Sequence, residues 1–411
     1  MTPNFSSDFF ADNRRRLREL VKLDAPIVVT ANGLLQRGGD SSFAFQQDAS
    51  FWYLTGLSEP EIILVMGVSG DYLMVPPREA VREAFDGAVD FSELTKRSGI
   101  DVVYDLTSGW KQLRRQLQTA KRYATVAPNP PYVEFWGMYT NPARASLTEK
   151  IKEIASDSEL YDIRKDIARL RMVKQASELR ALQQAIDITI DSMTEASSLD
   201  KLAAYQYEYE FDAAIAYGFR KRGARGNAFE PIVASGKSGA TIHSMLNNGP
   251  MKQGELIIVD VGAEYDGYCA DITRTYSIGG QPSNRQQAIH AAVLEVQEYG
   301  YGLLKPGVLL REYEKQIETY MGEKLLELSL IKTADKESIR TYYPHACSHF
   351  LGLDPHDAGD YEQALLPGTV LTCEPGIYIP EEGIGVRTED DLVITESGVE
   401  VLSARLPKTL M

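Results

Sequence analysis

The stretch "VDVGAEYDGYCADITRTYS", residues 259–277, places Asp260 and Asp271 among residues that otherwise spell two strands. Alternating apolar positions and the Val, Ile, Tyr and Thr content on both sides argue for strand. Asp266-Gly267 between them is the preferred two-residue hairpin turn. With those two residues in the turn, Asp260 faces Thr273 and Asp271 faces Gly262. Both carboxylates then project from one face as diagonal neighbours, roughly 7–8 Å apart at the backbone. Two anions so placed repel each other unless a cation lies between them. Arg274 sits at an odd offset from Asp271 and so points to the opposite face. The cation must come from elsewhere.

A second hairpin is expected in "GTVLTCEPGIYIPEEGIGVRTEDDLVITESG", residues 368–398. A turn centred on Glu381-Glu382 makes Glu374 and Glu389 direct cross-strand partners, although Gly376 and the prolines could add a bulge. Arg387, two residues before Glu389, would share its face. Like charges directly opposite are destabilising without a counter-charge. Between the hairpins, "YYPHACSHFLGLDPHDAGDY" carries His345, His349 and His356, three of the five histidines. The four-residue spacing of His345 and His349 suits a zinc-binding helix, but the Glu of an H-E-x-x-H motif is missing. His243 ends the Gly/Ser-rich "PIVASGKSGATIH", and His290, beside an apolar helical stripe, is expected to be ordinary surface.

Any one acidic residue on a strand is usually solvent-facing, but two such pairs on apolar hairpins are harder to explain that way. Two divalent cations would balance the four carboxylates. Oxygen-rich sites with few histidines suit Mn²⁺, Mg²⁺ or Co²⁺ better than a structural zinc site does. Two metals roughly 3.5–4 Å apart can share carboxylates and hold a bridging hydroxide. Charge balance therefore points to a dinuclear hydrolase.

Bulk properties agree. At 411 residues the chain exceeds one ordinary core, so two or three domains are expected. A formal charge of -15 argues against nucleic acid or anionic membrane as partners. No apolar run reaches the length of a membrane span. The first residues, "MTPNFSSDFFADNRRRLREL", lack the apolar core of a secretory signal, so a cytoplasmic protein is expected. Cys269, Cys347 and Cys373 form no close pair and read as reduced thiols. Cys269 shares a face with Asp271, which leaves a thiolate ligand open, yet free Cys is commonly a small buried hydrophobe.

Strand-like runs such as "APIVVTAN" and "EIILVMGV" alternate with helical stretches up to a Pro-rich segment, "VAPNPPYVEFWGM". A new pattern follows, with Leu179, Leu182, Ile186, Ile190 and Met193 recurring at the spacing of an amphipathic helix. The boundary is placed near residue 165. Residues 1–165 would form a smaller α/β domain, and residues 166–411 an α+β domain with a largely antiparallel sheet.

"VDVGAEYDGYCADITRTYSIGG", "HFLGLDPHD", "LTCEPGIYI" and "GIGVRTEDDLVIT" resemble proline-specific metallopeptidases with the pita-bread fold, most closely aminopeptidase P. "RRRLREL" and "FAFQQDASFWYLTGLSEPEIILVM" resemble the N-terminal domain of that family, so the likeness runs nearly the full chain. The resemblance implies a curved, mostly antiparallel catalytic sheet and a dinuclear Xaa-Pro aminopeptidase. Such an enzyme removes the first residue of peptides with proline second, using a metal-bridging hydroxide as nucleophile. It implies two divalent ions per chain, Mn²⁺ foremost and Co²⁺ or Zn²⁺ as alternatives. Asp260 would ligate one ion, Asp271 and Glu389 would bridge, and His349 and Glu374 would complete the other shell. Glu374 would also serve as general base. His243 and His356 would contact the substrate carbonyl, His345 would support the site without binding metal, and Arg387 would lie beside the proline subsite.

Two departures from the family pattern bear on specificity. Phe229 stands where family members often carry Tyr, and Phe85 where a Trp reaching a neighbouring subunit's site is expected. The resemblance implies homodimers or homotetramers, and it places small residues where the three cysteines lie, so these would only pack. Xaa-Pro dipeptidase shares the fold and ligand set and is the alternative. A non-catalytic binder of this fold is disfavoured because all five ligand positions are filled. Creatinase-like hydrolysis lacks these ligands, and the long N-terminal domain argues against methionine aminopeptidase.

Overall fold

The computed structural model describes residues 5–128 and 131–410. The chain divides into two units, Met1–Leu170 and Arg171–Met411. In the first, apolar β-branched runs become strands: Ile27–Thr30 and Ile63–Gly67 are buried at every position. They lie at the centre of a six-stranded sheet ordered Val103–Asp105, Gly70–Val75, Ile63–Gly67, Ile27–Thr30, Arg122–Thr125, Glu159–Asp162. Parallel and antiparallel pairs are mixed, as crossover helices require. The helix Leu106–Ala120 starts where Asp105 accepts the Ser108 N–H, and buries Leu113 and Leu117 against Val28, Val65 and Met74.

The second unit pairs every strand of its described residues antiparallel. The first hairpin has the register read from the sequence, with Asp260 opposite Thr273 and Glu264 opposite Cys269. Its turn residues Asp266 and Gly267 both have positive φ, 49° and 83°, the requirement of the mirror-image turn. The second hairpin is also in the expected register. Gly376 faces Arg387 on one side of the site and Cys373 faces Asp390 on the other, so Glu374 remains opposite Glu389.

Between those two ladders the strands part. The Glu374 N–H donates to the Cys347 carbonyl at 2.8 Å, and the Glu389 N–H to the Thr273 carbonyl at 3.0 Å. Gln297, 1% exposed on helix Asn284–Leu303, fills the gap: its amide nitrogen donates to the Cys373 and Thr388 carbonyls, both at 3.0 Å.

Helices cover each hairpin. Ala176–Ala196 and Glu208–Lys221 bury Ile186, Ile190, Met193, Phe211 and Phe219 against the first. Asn284–Leu303 and Leu310–Glu327 bury Val293, Val296, Ile317 and Met321 against the second. No helix among the described residues is long and apolar enough to cross a membrane. His290 is not surface. It is 7% exposed, because the segment after Val401 folds back over its helix, where Lys408 Nζ donates to Gln297 Oε1 at 2.8 Å and to the Tyr301 hydroxyl at 2.9 Å.

Arg274 points away from the Asp260 face, as its offset required, and fastens the hairpins from behind. It is 1% exposed and donates to the Glu389 carbonyl at 2.6 Å, to Asp390 Oδ1 at 2.7 Å, and to the Leu406 and Pro407 carbonyls. Replacing it with Met leaves those carbonyls unpaired in the interior and takes from Asp390 one of its two cations, the other being Lys408 at 2.7 Å. The expected loss is roughly 3–5 kcal/mol of unfolding free energy in a denaturant titration.

Candidate metal centre

The first hairpin delivers Asp260 and Asp271, the second Glu374 and Glu389, and the irregular segment between them His349. The helix Lys336–Tyr342 ends before Pro344, so His345 and His349 lie on no helix and the four-residue spacing has no helical meaning here. Two hydrogen bonds set the segment beside the second hairpin: Thr372 N–H to the His349 carbonyl at 3.0 Å and Glu374 N–H to that of Cys347. Asp357, buried beneath His356, is held by Arg171 and by Lys174 Nζ at 2.8 Å.

The five expected ligands converge. His349 Nε2 lies 3.2 Å from Glu374 Oε1 and 3.6 Å from Asp271 Oδ2. Ligand atoms of Asp271, His349 and Glu389 all fall within 4.8 Å of one another. His349 Nδ1 is 3.1 Å from the Phe350 carbonyl, a contact that protonates Nδ1 and leaves Nε2 free to ligate. Hydroxyls aim two of the carboxylates: Thr273 donates to Glu389 Oε2 at 2.6 Å, and Thr372 to Glu374 Oε1 at 3.3 Å.

The other expected residues surround this cluster. Arg387 Nη2 donates to Asp260 Oδ2 at 2.6 Å and its Nη1 to the Tyr378 hydroxyl at 2.8 Å. That hydroxyl also meets His345 Nε2 at 2.8 Å, while His345 Nδ1 lies 3.8 Å from Glu374. The His356 ring packs on His349, centroids 4.1 Å apart. His243 is exposed but close enough for its charge to act on His356. Phe229 lies against Gly262, across from Asp271.

Sequence reasoning passed over Tyr378, Gln297 and Asp391. Asp391 accepts the Asp271 N–H at 3.2 Å and lies on the same strand face as Glu389, a periodicity that could have flagged it. Cys269 takes no place among the ligands; its Sγ faces the Leu353 carbonyl at 3.7 Å and burial pushes the thiol up. Cys347 and Cys373 pack as free thiols with Sγ atoms 3.8 Å apart.

Burial raises Asp271 and Glu389 well above the ordinary carboxyl range, and neighbouring carboxylates add to it: chiefly Asp260 for Asp271, and Asp271 for Glu389. Burial also lifts Asp260, with Arg387 opposing. Against its own desolvation, Glu374 is drawn down to about 2, mainly by His349 and then by His345 and Arg387. Desolvation and then the His349 charge bring His356 down to about 4, so it is neutral at physiological pH. Asp260 Oδ1 is buried with no hydrogen-bond partner among the described residues. Four crowded carboxylates, one imidazole whose Nε2 is turned toward two of them and a buried carboxylate oxygen without a donor among the described residues fit divalent metal.

Residues 180–396 match metallopeptidase family M24, and residues 10–126 match the aminopeptidase P N-terminal domain. Xaa-Pro aminopeptidase 3 of Rattus norvegicus is 33% identical, over 99% of this chain and 85% of that protein. Xaa-Pro aminopeptidase of Escherichia coli is 31% identical, over 97% and 95%. The chain belongs to the Xaa-Pro aminopeptidases of family M24. Zinc-substituted E. coli aminopeptidase P in complex with product superposes with a TM-score of 0.86 at 29% identity, covering 98% of this chain and 96% of that one. The same enzyme with the inhibitor Pro-Leu gives 0.85 at the same identity and coverage. This chain therefore has the pita-bread fold and is a metal-dependent Xaa-Pro aminopeptidase, and its N-terminal domain fits an aminopeptidase better than a dipeptidase.

For Asp271 and Glu389 the folded pKa lies above the unfolded one. In metal-free protein their protonation stabilises the fold at acid pH, and that contribution is lost as pH rises through the raised values. Metal takes over the proton's part. The Tm gain when Mn²⁺ is added to chelator-treated protein should therefore be larger near about pH 8 than near about pH 5.5. Equal gains would show that these carboxylates are not what the metal neutralises.

Proposed function

We propose that the site holds two divalent cations, Mn²⁺ in preference with Co²⁺ or Zn²⁺ able to substitute, and cleaves the bond preceding a proline at the second position of a peptide. The observation that carries this reading is the grouping of Asp271, His349 and Glu389, with Glu374 3.2 Å from His349 and with Asp260 Oδ1 buried without a hydrogen-bond partner among the described residues, while the guanidinium that contacts Asp260, Arg387, supplies a single positive charge. Asp260 would ligate one ion, His349 and Glu374 the other, and Asp271 and Glu389 both. Bound there, the ions would polarise the scissile carbonyl and lower the pKa of a water.

The protein's own groups do the rest. Glu374, kept ionised by its three cationic or imidazole neighbours, accepts the proton of the attacking water and passes it to the proline nitrogen. That transfer matters because the leaving nitrogen is in a ring and the Xaa-Pro amide has no N–H for strand-type recognition. Neutral His356 can donate an N–H to the carbonyl oxygen, and His243 joins it from its loop. The carboxylate-rich cavity, Asp260 in particular, welcomes an N-terminal ammonium and so restricts cleavage to chain ends. Arg387, fixed between Asp260 and Tyr378, borders the proline subsite, and Phe229 offers an apolar contact in place of a hydroxyl. Phe85, 85% exposed, supports a homodimer or homotetramer in which it reaches a neighbouring copy's site. The three free thiols support a reducing compartment, the cytoplasm in our reading.

Chelator-treated protein supplied with Mn²⁺ should hydrolyse an Xaa-Pro-Pro tripeptide in strong preference to the dipeptide Gly-Pro, and preference for Gly-Pro would overturn the reading. Metal analysis of the same sample should approach two ions per chain. Asp271→Asn should lower kcat/KM by more than the roughly 10- to 100-fold typical of groups that only support a ligand.

A further inference from the structure

One buried carboxylate has no part in the chemistry above. Glu208 opens the helix Glu208–Lys221 and is 2% exposed. Its Oε1 accepts from the Ser235 N–H at 2.7 Å, the Ser235 hydroxyl at 2.8 Å and the Ser238 hydroxyl at 2.9 Å. Its Oε2 accepts the Gly249 N–H at 2.8 Å, and its own N–H donates to the Gly249 carbonyl at 3.0 Å. Ser235 ends the strand Ile232–Ser235 and Ser238 follows in the loop it opens, Gly249 lies on that loop's way back to the strand Leu256–Val261, and His243 lies between them. A Cβ on Gly249 would fall 2.8 Å from Oε1, so glycine there is what lets one carboxylate reach both ends.

Each of these donors is an uncharged N–H or O–H. An anion desolvated this far is stable only while its donors stay in place, so the loop's ends and the carboxylate fix one another. The base has further ties: Asn247, 5% exposed, accepts the Val233 N–H and donates to the Pro231 carbonyl and Asp212 Oδ2, each at 3.0 Å, and the loop also meets the strand that leads to Arg387 and Glu389. The Gly239 carbonyl approaches Gly385 so closely that a Cβ on Gly385 would lie 1.8 Å from it. Past that contact the loop runs into solvent, with Leu246 82% exposed and His243 exposed. A side chain at such an apex keeps its aim only if the loop's ends are held.

We propose that Glu208 is the positioning residue for His243, acting by stapling both ends of the 235–249 loop. This rests on the role given to His243 under the function proposed above. A neutral amide cannot replace the carboxylate, because its NH₂ must face one of the four donors.

The test is a double-mutant cycle in the Mn²⁺-loaded enzyme on an Xaa-Pro-Pro tripeptide. Glu208→Gln should lower kcat by about 10- to 100-fold, the scale of a misplaced catalytic contact, with KM and calorimetric Mn²⁺ affinity changed by less than about threefold. In a His243→Ala background the same substitution should cost less than about twofold more, because the contact it aims is already gone. Ser238→Ala, which removes one donor and leaves the carboxylate, should show the same non-additivity on a smaller scale if Glu208→Gln does not fold. Losses that multiply in the double variant, or full activity in Glu208→Gln, would overturn the inference while leaving the role of His243 standing. Wild-type kcat in His243→Ala alone would remove that role, and this inference with it.

Discussion

Crowding like charges in a protein interior is the constraint that shapes the second unit. Asp260, Asp271, Glu374 and Glu389 are nearly buried, and burial alone would neutralise carboxyl groups by raising their pKa values. Only Glu374 escapes, because imidazoles and Arg387 surround it. The neighbours thus divide the cluster into one carboxylate kept ionised by adjacent cations and others that burial drives toward the neutral form, which on the function proposed above would be met by metal.

The architecture follows from having to hold that cluster still. Each hairpin is backed by its own pair of helices, and the two meet where Glu389 donates to Thr273 and Arg274 grips the carbonyl of Glu389. Arg274 and Arg387 face opposite ways and do opposite jobs. Arg387 balances charge on the front, whereas Arg274 pairs with Asp390 and the C-terminal segment behind. Residues adjacent in sequence to the ligands therefore carry the load of the joint.

The first hairpin's register was legible because a two-residue Asp-Gly turn and an alternating pattern leave little freedom, whereas the second, turning through Pro380-Glu381-Glu382-Gly383, could have carried a bulge and does not shift register. The convergence of His349 with the carboxylates came from family likeness, since nothing in the spacing of His345, His349 and His356 defines a loop path. His290 was misread because its stripe is covered by residues more than a hundred positions away, which periodicity does not report. Gln297 and Asp391 were passed over for a related reason. An amide on a helix or a second acid on a strand becomes informative only when its partner is known.

The break in the second hairpin has a consequence beyond local pairing. A continuous ladder would dictate the spread of Glu374 and Glu389 by strand geometry alone. Here a single amide spans the opening, so the distance between the two glutamates is gauged by a helix. Any sideways creep of Asn284–Leu303 would be read out as a wider or narrower jaw, which makes that helix a caliper for the ion-binding groove.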